Sequence, residues 1–225
     1  MAEPTSRRTE TRQRILDAAG VLFRRQGIDG VGVDAVMKQA GLTHGGFYAY
    51  FASKEALAAE VAHSLLEKSA RSWDEISRTY DPGPALRRIV AGYLNPEKVA
   101  SGLCCSLASL GPDFARRSAS RSAIGGALRG MLEALARVMP EVDAEDAGIG
   151  TASRPSWPGL SGPPVEARAP GGDADKNRRE RALAALSTMV GAVVLARMAD
   201  DPELAQAFLD AAAASILTGR ENTPG

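Results

Sequence analysis

Apolar residues recur at the spacing of an α-helix along much of the chain, and glycine marks the end of the first two such stretches. One pattern predicts a helix over residues 9–26 that ends at Gly27. The next predicts a helix over residues 33–40, followed by Gly41, which can take the left-handed conformation that commonly ends a helix. The residues that carry the two patterns are Ile15, Ala18, Ala19, Leu22 and Phe23 in the first helix, and Val33, Val36, Met37 and Ala40 in the second.

The residues after this second helix predict a third, shorter one. Thr43 is a suitable N-cap, and Phe47 and Phe51 are four positions apart and share one face. Gly45 and Gly46 lie inside the segment, and each costs about 1 kcal/mol relative to alanine in a helix. Two interpretations stay open: a loose turn around an aromatic cluster, or a helix-turn-helix whose second helix enters a DNA major groove.

Further helices are expected from residue 53 onward. Ser53 caps a long helix that extends toward Tyr80, and residues 81–84, Asp-Pro-Gly-Pro, break it. The other predicted helices cover residues 85–94, 103–110 (ended by Gly111 and Pro112), 114–139, 182–199 and 203–217.

A segment of different composition interrupts this series. Residues 148–172 are rich in proline and glycine and can neither form a helix nor pack a core, so we expect a flexible surface loop. The last two helices are apolar nearly all round, which favours a homodimer interface over about residues 178–199 and 202–217. The candidate helix-turn-helix lies in a first predicted domain, residues 1–52, and the candidate dimer interface lies in a second, residues 53–225.

Composition supports an all-α fold. Hydrophobic residues make up 44% of the 225 residues and aromatic residues only 5%, and no alternating strand pattern stands out. No uncharged apolar run reaches the roughly 18 residues of a membrane span. The N-terminus leads into a polar segment rather than an apolar signal core. We therefore expect a cytoplasmic protein with no membrane association.

Charge gives a mixed indication. The formal net charge is zero, so composition alone does not point to nucleic acid. Arg7, Arg8, Arg12 and Arg14 nevertheless cluster near the candidate helix-turn-helix, where they either contact phosphates or form a solvated helix start. Lys54 lies in the first turn of a predicted helix, where a cation opposes the helix dipole unless an anion binds beside it. A solvent-exposed lysine is the alternative.

Residues 10–57 closely resemble the DNA-binding domain of the tetracycline-repressor (TetR) family of bacterial regulators. The matching stretches are Gln26-Gly27, Ala40-Gly41-Leu42-Thr43, Gly45-Gly46-Phe47-Tyr48-Ala49-Tyr50-Phe51 and Ser53-Lys54-Glu55-Ala56-Leu57. The resemblance implies phosphate contacts from Thr43, Tyr48, Tyr50 and Lys54, base-edge positions at His44, Gly46 and Ala49, and close backbone approach at Gly45. Two positions depart from the family pattern: Tyr50 replaces a common histidine, and Gly32 replaces a common serine or threonine.

The resemblance also implies a mechanism. A homodimer binds double-stranded, pseudo-palindromic operator DNA as a repressor, and a small-molecule effector in the C-terminal domain releases it through the helix that begins at Ser53. The candidate effector-binding residues are Trp73, Tyr93, Cys104, Phe114, Met131 and Met189, although a plain core position is the favoured interpretation of each. We expect a mostly uncharged lining and an apolar or aromatic effector.

Two other classes of protein compete with this hypothesis. An enzyme is disfavoured because the only histidines are His44 and His63 and no catalytic, metal-binding or phosphate-binding motif occurs, so we expect no catalytic residue, no metal and no cofactor. A helical interaction module without DNA binding is the second. Within DNA regulation, the adjacent Cys104 and Cys105 leave a thiol sensor of electrophiles or oxidants as the alternative signal.

Overall fold

The computed structural model describes residues 4–102, 105–140 and 173–218. Nine α-helices and one 3₁₀ helix, and no strand, lie within these ranges, which confirms the predicted all-α class. Cys104 and the predicted loop at residues 148–172 lie outside the described residues. The helices are α1 (Pro4–Gln26), α2 (Val33–Gln39), the 3₁₀ helix (His44–Ala49), α3 (Lys54–Thr79), α4 (Pro82–Tyr93), α5 (Pro96–Ala100), α6 (Ser106–Arg116), α7 (Ser118–Val138), α8 (Asp173–Met198) and α9 (Pro202–Thr218).

Several predicted boundaries are wrong. α4 begins at Pro82 instead of residue 85, α8 begins at Asp173 instead of residue 182, and α5 was not predicted. α1 begins at Pro4, five residues earlier than expected, and α6 continues through Pro112 instead of ending there. The predicted helix at residues 114–139 is divided at Arg117, whose backbone is extended (φ −108°, ψ 113°). Tertiary contacts explain this break, because the Arg117 guanidinium binds the carboxylates of both Asp29 and Asp113.

α3 contributes to both hydrophobic cores of the protein. Its start follows the prediction: the Ser53 hydroxyl accepts a hydrogen bond from the Ala56 backbone N–H at 3.1 Å. Its first half contributes Leu57 and Val61 to the N-terminal core, which α3 shares with α1 and α2. Its second half contributes Leu66 and Trp73 to a separate core, the C-terminal core.

The two cores do not divide the chain cleanly between residues 52 and 53. The N-terminal core also contains Leu110 and Phe114 from α6, whereas Leu107 of the same helix packs on the C-terminal core. α3 and α6 therefore both connect the two cores, and the proposed domain boundary stays a prediction.

The last two helices pack on each other and leave an apolar face outside. Met189 and Val193 of α8 and Leu209 of α9 are buried. By length and composition the stretch Ala174–Met198 would also suffice to cross a membrane, a test that core helices pass too, and 39% of its apolar window is buried. The large apolar side chains exposed on α8 and α9 are Leu183, Val194, Leu195, Met198, Leu204 and Leu217.

Candidate nucleic-acid interface

The turn between α2 and the 3₁₀ helix is set by Gly41. Its φ of +69° lies in the left-handed region predicted from the sequence. The Gly41 N–H donates to the Lys38 carbonyl at 3.0 Å, and the Leu42 N–H donates to the Met37 carbonyl at 2.9 Å. These paired bonds form a Schellman motif, so α2 ends sharply and the chain turns directly into the next element.

The segment His44–Ala49, called the recognition segment below, is a 3₁₀ helix. Phe47 is fully buried and Phe51 is 3% exposed, and their rings stack with centroids 5.8 Å apart. Both rings belong to the core formed with α1, α2 and the start of α3. The tight helix with its two glycines is therefore attached to the scaffold by the aromatic pair.

The opposite side of the recognition segment faces outward. Thr43, His44, Gly45 and Ala49 are exposed, and Tyr48 is 68% exposed with its ring edge-on to Phe47. A Cβ placed on Gly45 would meet no atom within 4 Å, so that backbone is open to close approach. Gly46 is different, because its Cβ would lie 3.6 Å from the Met37 methyl group and therefore faces the scaffold.

Two polar contacts fix the ends of the recognition segment. The His44 Nδ1 pairs with the Asp34 carboxylate in the first turn of α2. At the other end, the Arg8 guanidinium donates to the Ala49 carbonyl at 2.8 Å and lies 5.9 Å from the centre of the half-buried Tyr50 ring. Sequence reasoning did not find either contact, since each joins residues of two different elements whose packing the sequence does not show.

The arginine cluster of α1 mostly supports the scaffold. Arg12 pairs with Glu60 on α3 and lies 4.6 Å from the centre of the Phe51 ring. Arg14 donates to the Ala40 carbonyl at 2.5 Å, at the end of α2. The Arg14 guanidinium thus satisfies a carbonyl group at the end of α2, and that of Arg12 holds α1 against α3. Both groups are engaged within the protein.

Lys54 lies at the first residue of α3 and is half-buried. Its Nζ donates a long hydrogen bond, 3.5 Å, to the Asp29 carbonyl in the loop after α1. The ammonium group therefore lies beside the N-terminal amides of a 26-residue helix, a combination that attracts an anion.

A buried carboxylate that the sequence did not single out joins α6 to this domain. Asp113 accepts from the Ile28 backbone N–H at 3.2 Å and from the Arg116 guanidinium at 2.5 Å. Arg117 then binds both Asp113 and Asp29. In the sequence Asp113 lies between two predicted helices, and the residues around it give no hint of its partners.

A cavity of about 310 Å³ lies between α3, α4 and α6, beside the C-terminal core. It is lined by Trp73 and Tyr93, whose rings meet edge to face at 5.7 Å, and by Cys105. Most of the described lining residues are uncharged, but four cations also border the cavity. Of the other candidates, Phe114 lies in the N-terminal core, Met131 and Met189 lie in the C-terminal core, and Cys104 lies outside the described residues.

The geometry of the N-terminal part is that of a helix-turn-helix DNA-binding domain: a short exposed helix, set by a glycine turn, on a scaffold of two longer helices. Residues 15–61 match the family model described as bacterial regulatory proteins, tetR family. Residues 15–61 therefore form a DNA-binding domain of the tetR type, as the sequence resemblance indicates.

Sequence similarity to a curated relative covers part of the chain. The uncharacterized HTH-type transcriptional regulator YdgC of Bacillus subtilis (strain 168) is 40% identical over 70 residues, 30% of this chain and 36% of YdgC. The match thus spans about a third of that relative's length.

Solved structures match the fold over nearly the whole chain. A TetR transcriptional regulator from Legionella pneumophila is similar with a TM-score of 0.68 and 16% identity, covering 98% of this chain and 99% of that one. FadR from Bacillus subtilis, solved in complex with stearoyl-CoA, is similar with a TM-score of 0.61 and 18% identity, covering 93% of this chain and 99% of that one. At these identities the likeness concerns the fold alone.

Proposed function

We propose that this chain is a homodimeric, ligand-responsive transcriptional repressor of the TetR family that acts in the cytoplasm and has no catalytic activity. The observation that carries the proposal is the polarity of the recognition segment. Phe47 and Phe51 are buried, while Thr43, His44 and Tyr48 are presented outward with an unobstructed backbone at Gly45.

The proposed DNA contacts divide into two kinds. Thr43, Tyr48, Tyr50 and Lys54 contact phosphates, which positions the protein without reading sequence. His44 is the main base-reading side chain, and its pairing with Asp34 restrains the ring that enters the groove. Because few side chains reach the bases, DNA shape and bridging water contribute to specificity.

Dimerisation would use the outward apolar faces of α8 and α9. Leu195 is 45% exposed and Met198 is 75% exposed, on a helix whose other face is core. Two copies related by a two-fold axis would bury both faces and form a four-helix interface. The same axis would place two recognition segments in successive major grooves, about 34 Å apart or more.

The effector would act through α3 and α6. The cavity is lined by Trp73 on α3 and by Cys105 and Ser106 at the start of α6, and the other end of α6 holds the DNA-binding domain through Asp113. FadR, of similar fold, was solved with stearoyl-CoA, which supports a bound small molecule. A ligand that shifts either helix would change the spacing of the recognition segments and so weaken DNA binding. The coupling free energy between two such sites is typically about 1–3 kcal/mol.

The direct test is titration of a fluorescent duplex from the DNA upstream of the chain's own gene, compared with a shuffled duplex. We expect tight, salt-sensitive binding to the first and weak binding to the second. The control variant is Tyr80→Ala, which removes an exposed tyrosine (40%) at the end of α3 opposite the recognition segment. It should bind both duplexes as the wild type does. Equal affinity for both duplexes would contradict the proposal.

A second candidate is a thiol-based signal, because Cys105 has an unusual environment. Its Sγ accepts hydrogen bonds from the Tyr93 hydroxyl at 2.5 Å and from the Leu107 N–H at 3.3 Å, at the N-terminus of α6. Both donors and the helix dipole favour a thiolate. That thiolate would add to the double bond of an electrophile such as N-ethylmaleimide, whose adjacent carbon takes a proton from water.

The thiol candidate predicts that N-ethylmaleimide weakens operator binding by the wild type. Cys105→Ser and Tyr93→Phe should respond less, the second because the thiolate loses one donor. A response that is the same in the wild type and Cys105→Ser would exclude Cys105 as the sensor. Cys104→Ser is the matched control for the neighbouring thiol.

A further inference from the structure

The cavity between α3, α4 and α6 has a distinctive charge. Among the described residues that line it, none is a carboxylic acid and four are cationic: Arg24, Lys68, Arg88 and Lys98. Two other cavities have linings of mixed charge: one includes Asp200 and Asp201, and the other includes Glu133 and Asp175. Cations alone, with no acid to balance them, create a positive potential that attracts an anion.

Burial separates the lining into a floor and a rim. Trp73 and Ile89 are buried, and Tyr93 is half-buried beside them. Lys68, Arg88 and Lys98 are all exposed at the mouth. The cavity therefore has an apolar, aromatic interior and a cationic entrance.

The rim cations have no carboxylate partner among the described residues. The Arg88 guanidinium lies 4.1 Å from the centre of the Tyr80 ring, and the Lys98 Nζ is 3.5 Å from the Gly92 carbonyl. These are weak or neutral contacts that leave the positive charge uncompensated. Arg24 differs, since its Nε donates to the Gly20 carbonyl at 2.9 Å.

From this arrangement we propose that the cavity binds an aromatic carboxylate, or a similar small molecule that joins an apolar ring to an anionic group. The ring would lie against Trp73 and Tyr93, and the anion would be bound by Lys68, Arg88 and Lys98. A volume of about 310 Å³ suits a ligand of one or two rings. The inference rests on the proposed function only for its consequence, that such an anion is the effector.

The test compares two probes of nearly the same shape, the anion 1-naphthoate and its neutral amide, by calorimetric titration of the full chain. We expect the carboxylate to bind at least about tenfold more tightly, with an advantage that declines as salt is added. In Lys68→Gln/Arg88→Gln the two probes should bind alike. The matched control, Arg71→Gln/Arg87→Gln, removes two exposed arginines of the same helices that do not line the cavity and should keep the advantage.

Three results would overturn the inference: no binding of naphthoate, equal affinity of the two probes for the wild type, or an advantage that survives in Lys68→Gln/Arg88→Gln. Loss of the advantage in the control variant would also overturn it, because net charge alone would then explain the preference. Titration of upstream DNA on the same samples separates the two proposals. Specific DNA binding without naphthoate preference contradicts only the ligand class, and naphthoate preference without DNA binding contradicts only the regulator.

Discussion

Replacing Phe47 with alanine tests whether the recognition segment is held by its aromatic anchor. Phe47 is fully buried, and its ring stacks on that of Phe51 with the centroids 5.8 Å apart. Truncation to alanine therefore removes side-chain atoms that are all packed in the core. Truncation of a buried phenylalanine costs about 3–5 kcal/mol. Since whole domains are stable by only about 5–15 kcal/mol, we expect Phe47→Ala to lose a large share of the stability of the N-terminal core.

Tyr48→Ala is the matched control, because the next residue is also aromatic but is 68% exposed. Its loss should change the free energy of unfolding by less than about 1 kcal/mol while it still weakens DNA binding. Urea unfolding followed by circular dichroism measures the first quantity, and fluorescence anisotropy with upstream DNA measures the second. If Phe47→Ala unfolds within about 1 kcal/mol of the wild type, the recognition segment is not anchored as described.

Three further predictions address the turn, the helix start and the dimer. Gly41→Ala should lose about 1–2 kcal/mol in urea unfolding, because alanine is strained at a φ of +69°; an unchanged midpoint would argue against the left-handed turn. Lys54→Ala should weaken binding to all duplexes alike and lower the salt slope by about 1; a sequence-dependent loss would argue for a base contact. Leu195→Glu should give folded monomers in analytical ultracentrifugation, whereas a persisting dimer would place the interface elsewhere.

The sequence predicted those features of the site that depend on local chemistry. Gly41 takes the left-handed conformation, Phe47 and Phe51 face the core, and Ser53 caps α3. Each of these follows from spacing or from the conformational freedom of one residue, so neighbours in the chain suffice to predict it.

The features that sequence reasoning missed depend on residues far apart in the chain. Arg117 interrupts the helix because it binds Asp29, 88 residues earlier, and no local breaker marks the position. Arg8 likewise bonds the carbonyl of Ala49 across 41 residues. Local propensity cannot anticipate such contacts, since only the packed fold brings their atoms together.

The cavity shows the same limit for function. Trp73 and Tyr93 were expected at an effector site and do line the cavity, whereas Phe114 is core. The sequence did not predict the cationic rim, because Lys68, Arg88 and Lys98 come from three helices. Taken alone, each has the pattern of a solvated surface residue. Only their convergence gives the cavity its charge.

Selection of binding sites from a library of randomised duplexes tests the central claim most directly, because the selection itself identifies the operator sequence. We predict that the wild-type chain enriches a pseudo-palindrome with two half-sites separated by about one helical turn of DNA or more. His44→Ala should enrich the same spacing with altered base preference. Enrichment of no sequence, or of a single half-site, would contradict a dimer that reads DNA through residues 44–49.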